Sequence, residues 1–176
     1  MLLRFFLLFS LYFFSVSAFA QKPYHFISKW QLKAPRAEVW QVINHSTQWR
    51  EWWKSIEQAE ELYVGDSSGI GNIRSYTIKS PIGYRLHFHL ELTRREPDSV
   101  LQGSATGDLI GTGAWYFQEK DSITTVLIHW DVVPTIAWMN RFRFLLSPVL
   151  KWNHAQVMKI GAKGLAKKMN VELISR

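Results

Sequence analysis

The clearest helical pattern of apolar and polar positions lies near the C-terminus, from Ser147 to Met169. Steps of about 100° per residue place one set of mostly apolar positions on the same side of this helix. These positions are Leu150, His154, Val157, Met158, Gly161 and Leu165. The opposite side carries Lys159, Lys163 and Lys167. Ser147 is suited to cap the helix and Pro148 to begin it. The pattern predicts a long amphipathic helix with one buried face.

Shorter patterns precede this helix. Residues 24–33 alternate with a period of two, which predicts a half-buried strand. Helical spacing predicts a short helix after Ala34-Pro35 and a second one over residues 47–53, with Ser46 as its cap. Six further stretches of period two, separated by turn signals, predict the strands 57–63, 72–79, 84–95, 100–106, 112–119 and 124–133. Their short connections indicate one antiparallel sheet, which must curl around the last helix to bury it.

The first 20 residues have the pattern of an export signal. Arg4 precedes an apolar run over residues 5–14, and Ala18-Phe19-Ala20 forms a small-x-small cleavage site. We therefore expect cleavage after Ala20 and a periplasmic protein, with an uncleaved membrane anchor as the alternative. The chain has no cysteine, which excludes disulfides, thiolate chemistry and a lipoprotein attachment site.

The chain is basic, with 21 Lys and Arg residues against 14 acidic ones and a net formal charge of +7. This balance permits contact with anionic headgroups or with nucleic acid. Because the basic residues are dispersed and the chain is predicted to be exported, we do not expect nucleic acid as a partner. The stripe formed by Lys159, Lys163, Lys167 and Lys168 is either a solvated helix face or part of a peripheral membrane contact. In the second case it would act together with Arg141, Arg143, Trp138, Phe142 and Phe144.

Three segments carry a resemblance to a known superfamily. The first is Ala34-Pro35-Arg36-Ala37-Glu38-Val39-Trp40 followed by Trp49 and Trp52-Trp53, the second is Gly107-Asp108-Leu109-Ile110-Gly111-Thr112-Gly113-Ala114-Trp115, and the third joins Trp138-Met139 to Trp152-Asn153-His154, Val157-Met158, Gly161 and Gly164-Leu165. Together they resemble START-like (SRPBCC) proteins of the polyketide cyclase/dehydrase-like branch. The resemblance covers about residues 24–170.

This resemblance implies an α+β helix-grip fold. Its seven-stranded antiparallel sheet curls around a long C-terminal helix, two short helices follow the first strand, and a cavity lies between sheet and helix. Superfamily members bind lipids, sterols, plant hormones, quinones or polyketides, and some are cyclases. The resemblance carries over no catalytic residue.

The predicted helix supplies most of the candidate cavity residues. His154, beside Asn153, Val157 and Met158, is either a polar anchor in an apolar pocket or a core histidine bonded to a backbone carbonyl or to Asn153. A role in acid–base catalysis is a third alternative. Glycine inside a helix costs about 1 kcal/mol relative to alanine, so Gly161 and Gly164 indicate either a closely packed neighbour or room for a ligand. The remaining predicted wall residues are Leu165, Phe88, Trp115 and Trp130.

No metal or catalytic site is predicted. His87, His89 and Glu91 share one face of a strand, but the opposite face is apolar and should point inward, which leaves these three on the solvent side. His129 and Asp131 lie about three strand spacings away, roughly 14 Å. The glycines of residues 107–113 join two strands and form a hairpin, so Asp108 is assigned to a turn. No cofactor is implied.

These observations predict an exported protein that binds a hydrophobic small molecule or lipid. One alternative is a polyketide cyclase- or dehydratase-like enzyme that moves protons with cavity histidine and tyrosine residues. The other is an envelope scaffold or interaction protein whose core is filled.

Overall fold

The structure is a computed structural model that describes residues 22–176, so the predicted signal segment lies outside the described residues. Eight antiparallel strands form one sheet in the order β2-β3-β4-β5-β6-β7-β1-β8. The strands are β1 Tyr24–Leu32, β2 Ile56–Tyr63, β3 Ile73–Lys79, β4 Arg85–Glu96, β5 Val100–Gly107, β6 Leu109–Lys120, β7 Ile123–Pro134 and β8 Leu173–Ser175. Seven of them are the predicted strands, with bounds that differ by at most three residues.

The eighth strand corrects the predicted seven-stranded sheet. β8 pairs with the end of β1, where the Ser175 hydroxyl donates to Gln31 Oε1 at 2.7 Å. It lies beyond residue 170, where the predicted domain ends. With three residues it is too short to show a period of two, so the sequence pattern carries no sign of it.

The short helices after β1 have the predicted positions. α1 is Arg36–Asn44, and a 3₁₀ turn at Ser46–Gln48 leads into α2, Trp49–Trp52. The predicted cap at Ser46 is wrong, because its hydroxyl instead contacts the Tyr76 hydroxyl at 2.5 Å and accepts a hydrogen bond from Arg74. Tertiary partners have replaced the local cap.

The C-terminal helix is longer than predicted. A short helix α3, Ala137–Arg141, precedes α4, Arg143–Met169, so the predicted start at Ser147-Pro148 is wrong. Pro148 lies inside α4, where it removes one helical hydrogen bond to Phe144. α4 ends at Asn170, which has a left-handed backbone (φ 55°) typical of helix C-termini. No helix within residues 22–176 is long and apolar enough to cross a membrane.

α4 packs across the inner face of the sheet, with α2 beside it. The inner face is set by alternation: Phe88 of β4 and Val126, Ile128 and Val132 of β7 are buried. Trp53, directly after α2, packs between the sheet and α4, and its indole N–H donates to the Val157 carbonyl at 2.9 Å. The sheet, α2 and α4 thus enclose the space in which the candidate site lies.

Candidate functional site

A cavity of about 120 Å³, here called the central chamber, lies between the sheet and helices α2 and α4. Its wall is almost entirely apolar. The lining residues are Trp49, Trp53, Ile78, Leu86, Phe88, Leu90, Leu109, Trp115, Ile128, Trp130, His154, Val157 and Met158. Six of the predicted cavity residues are therefore brought together here: Phe88, Trp115, Trp130, His154, Val157 and Met158.

Two smaller chambers flank the central one. The Arg74 chamber, about 70 Å³, shares Trp49, Leu90, Trp115 and Trp130 with it. The Tyr24 chamber, about 60 Å³, shares Leu86, Leu109, Trp130 and His154. Because Trp130 lines all three, the chambers form a continuous row through the fold.

His154 is the polar group in the wall between the central and Tyr24 chambers. Its ring stacks on Phe26, with 4.1 Å between ring centroids. Burial lowers the pKa of His154 to about 4, so the imidazole is neutral near pH 7. Within residues 22–176 no hydrogen bond satisfies its ring nitrogens. One ring nitrogen of a neutral imidazole donates and the other accepts, so His154 can pair with either kind of polar group on a ligand.

The predicted cavity residue Asn153 has a different role. Its amide donates to the Tyr84 hydroxyl at 2.8 Å and its carbonyl accepts from Ser80 at 2.7 Å. It therefore ties α4 to the turn between β3 and β4. It does not bond to His154, so this version of the core-histidine interpretation is wrong.

Gly161 and Leu165 also lie outside the cavity wall. A Cβ atom on Gly161 would come within 2.5 Å of the Trp53 ring, and one on Gly164 within 1.9 Å of the Trp52 carbonyl oxygen. The interpretation of Gly161 as room for a ligand is wrong: both glycines allow α2 to approach α4. Close packing was the alternative, but the neighbour is α2 rather than the sheet. Leu165 is fully buried in the main core.

A polar network borders the Arg74 chamber. Arg74 donates to the Ser46 hydroxyl at 2.7 Å and to the Asn44 carbonyl at 3.1 Å, and Ser46 contacts Tyr76. Burial raises the pKa of the Tyr76 hydroxyl, which keeps it neutral. The sequence analysis missed this network, because only its alternation on β3 and the capping motif at Ser46 were visible.

Trp49 and Trp53 were also missed as wall residues. Their spacing of four places them on one side of a short helix, and this was the signal that could have identified them. In the structure their rings are 5.4 Å apart, and both pack near Trp115. The aromatic wall expected from nine tryptophans is thus assembled mainly from α2 and β6.

The outer face of the sheet has the predicted arrangement. His87, His89 and Glu91 are exposed, whereas Phe88 between them is buried. Asp131 pairs with His25 at 2.7 Å, and His129 packs edge-on against Tyr116. In the part of the chain that the structure describes, no three His, Cys, Asp or Glu residues are grouped to hold a metal ion.

The glycine-rich segment forms the predicted hairpin between β5 and β6. Asp108 at its turn bridges to β4, where its carboxylate accepts from the His87 backbone N–H at 2.7 Å and its own N–H donates to the His87 carbonyl at 2.9 Å. Asp108 is a turn residue, as predicted.

The comparisons with known proteins agree with this geometry. No family model and no curated protein matches the sequence. Solved structures match it closely in fold: a START superfamily protein from Mycobacterium smegmatis (11% identity, 83% of this chain and 97% of that one, TM-score 0.67) and the Zhui aromatase/cyclase from Streptomyces sp. R1128 (15%, 84% and 96%, 0.63). The chain has the START-like fold. A third neighbour, TTHA0849 from Thermus thermophilus, shows the same (14%, 82% and 99%, 0.64). The predicted helix-grip architecture is confirmed.

Proposed function

We propose that this protein binds a hydrophobic small molecule or lipid in the central chamber. The observation that carries the proposal is the apolar, tryptophan-lined cavity with one polar group, His154, whose nitrogens have no partner among residues 22–176. Small-molecule sites combine an apolar wall with a few polar groups that orient the ligand. A START-like fold with such a cavity supports a ligand-binding role.

The chamber size limits how the ligand would fit. An apolar protein cavity of about 150 Å³ stays dry and takes a molecule as large as benzene. The central chamber, about 120 Å³, therefore suits one ring or a short stretch of alkyl chain. A longer molecule would extend into the flanking chambers past Trp130, with a polar group within reach of His154 or Arg74.

The enzyme alternative has less support. A general acid or base works best with a pKa near the working pH. Burial moves the cavity groups the other way, because His154 has a pKa of about 4 and the pKa of Tyr76 is raised. At neutral pH both stay neutral and exchange protons poorly. They are better suited to hold a ligand than to transform it. The filled-scaffold alternative requires that the three chambers stay empty.

We also propose that the protein is exported, with residues 1–20 as its signal peptide. The support is the sequence pattern alone: Arg4, the apolar run and Ala18-Phe19-Ala20. N-terminal sequencing of protein recovered from the cell envelope is expected to begin at Gln21. An intact Met1 in the membrane fraction would indicate the anchored alternative.

Native mass spectrometry tests the binding proposal. Protein purified without detergent is expected to carry an added mass that is lost on unfolding and appears in an organic extract as an apolar compound. Recovery of only the unliganded mass, together with no uptake of an apolar dye, would contradict the proposal and favour the filled scaffold.

A further inference from the structure

Exposed apolar side chains cluster on α3 and on the first three turns of α4. This docking face consists of Trp138, Phe142, Phe144, Leu145, Val149 and Trp152. Phe144 is 93% exposed, Leu145 70% and Trp152 52%. Soluble proteins rarely expose so contiguous an apolar surface, and such a patch usually marks an interaction site. Wide aromatic side chains beside basic ones are typical of segments that lie in a membrane interface.

Charge identifies the surface that this face fits. From Asp131 to Glu172 the intervening chain has seven basic residues and no acidic one. Arg141 and Lys151 are exposed at the edges of the docking face, and Lys159 and Lys163 continue along α4. Basic residues that flank an interfacial apolar surface are attracted by anionic lipids. A second copy of the chain would instead bring two basic surfaces together, because a twofold interface pairs a patch with itself.

The same end of the molecule holds the Tyr24 chamber. Met139 and Leu150 lie on the inner sides of α3 and α4 and line that chamber. Tyr84, also in its wall, contacts Trp138 of the docking face with 5.9 Å between ring centroids. A bilayer against this face would therefore lie next to one end of the row of chambers.

The described chain also enters the fold here. The Arg143 guanidinium lies 4.3 Å from the centre of the Tyr24 ring and donates to the Lys22 carbonyl. Residues 1–21, with their apolar run over 5–14, therefore connect to the fold beside the docking face. Whether these residues are removed or retained, the face lies at the point where the chain would leave a membrane.

We propose that the face formed by α3 and the first three turns of α4 docks on an anionic lipid bilayer. Docking itself does not depend on the central chamber. The further step, that a ligand passes between the bilayer and the Tyr24 chamber, rests on the proposed function.

Vesicle flotation tests the docking. Every described helix and strand lies within residues 22–176, so the chain from Gln21 to Arg176 keeps the core and avoids a contribution from residues 5–14. It is expected to float with vesicles of phosphatidylglycerol and phosphatidylcholine, to float less as salt rises, and to remain unbound with phosphatidylcholine alone. Cooperative thermal unfolding confirms that each protein is folded.

Two pairs of variants locate the contact. Phe144→Ser with Leu145→Ser should weaken vesicle binding by about tenfold or more, because both side chains would enter the interface. The matched control, Leu62→Ser with Val64→Ser, removes two exposed apolar side chains near the end of β2 and should bind like the parent. Arg141→Gln with Lys151→Gln should weaken binding at low salt, whereas Lys29→Gln with Lys54→Gln should weaken it less.

Three outcomes would overturn the docking proposal. They are no binding of the parent to anionic vesicles, equal binding of the Phe144/Leu145 variant, or a dimer in sedimentation that this variant abolishes. Uptake of an apolar dye separates this proposal from the proposed function. If dye uptake persists without vesicle binding, only the docking fails; if vesicle binding persists without dye uptake, only the cavity proposal fails.

Discussion

The two halves of α4 differ in which face is apolar. In residues 143–152 the outward face carries Phe144, Leu145 and Trp152, which are exposed to solvent. In residues 153–169 the apolar side points inward, with Gly161 against Trp53, and the outward side carries lysines. One continuous helix therefore does two things. Its second half holds the fold together, and its first half presents an apolar surface that the fold itself does not use.

A matched pair of leucine substitutions should give the largest contrast between the halves. Leu165 is fully buried, so Leu165→Ala removes core contacts and leaves a cavity, at a cost of about 2–5 kcal/mol in the free energy of unfolding. Leu145→Ala should change it by less than about 0.5 kcal/mol, because the side chain is already in solvent. Urea unfolding of both variants measures the difference. Similar costs would mean that the first half is also packed against the fold.

A small addition to the second half should also destabilise it. In Gly164→Ala the new Cβ would overlap the Trp52 carbonyl oxygen, and overpacking typically costs about 1–3 kcal/mol. This exceeds the gain of about 1 kcal/mol in helix propensity. The control Lys163→Ala, on the exposed side, should have little effect. A more stable Gly164→Ala protein would show that α2 does not pack closely on α4.

His154, at the junction of the two halves, should make stability depend on pH. Burial lowers its pKa to about 4 in the folded protein, below the ordinary value of 6.5. The unfolded chain therefore binds more protons between pH 6.5 and 4, and stability falls as pH drops through this range. At pH 5 this contribution amounts to about 2 kcal/mol.

His154→Gln should remove this part of the acid sensitivity. Unfolding is measured at pH 7 and pH 5, and His89→Gln, a change at an exposed histidine, is the control. If His154→Gln and the parent lose equal stability between the two pH values, the imidazole is not buried in a neutral state.

Much of this architecture follows from periodicity. The alternation of residues such as Leu86, Phe88 and Leu90 predicted both the strand and its inward face, because burial on one side of a sheet imposes a period of two. The position of His154 on the inner side of the last helix followed from helical spacing in the same way. Both are consequences of local geometry.

What the pattern could not predict depends on distant neighbours. Helical spacing places Gly161 inside but does not show whether a ligand or the Trp53 ring meets it. Ser147-Pro148 has the local signs of a helix start, yet the helix begins four residues earlier, so the local signal did not set the helix start. Asn153 was assigned to the cavity, whereas its partners come from the distant turn between β3 and β4.

The central claim, that the central chamber takes up an apolar ligand, is tested most directly by titration with an environment-sensitive apolar dye. Val157 lines the chamber, so Val157→Phe fills part of it, whereas Val64→Phe adds the same ring at an exposed position. The account predicts saturable dye binding to the parent and to Val64→Phe, and binding weaker by about tenfold, or roughly 1.4 kcal/mol, in a folded Val157→Phe protein. Absence of binding in the parent, or equal binding in all three, would contradict it.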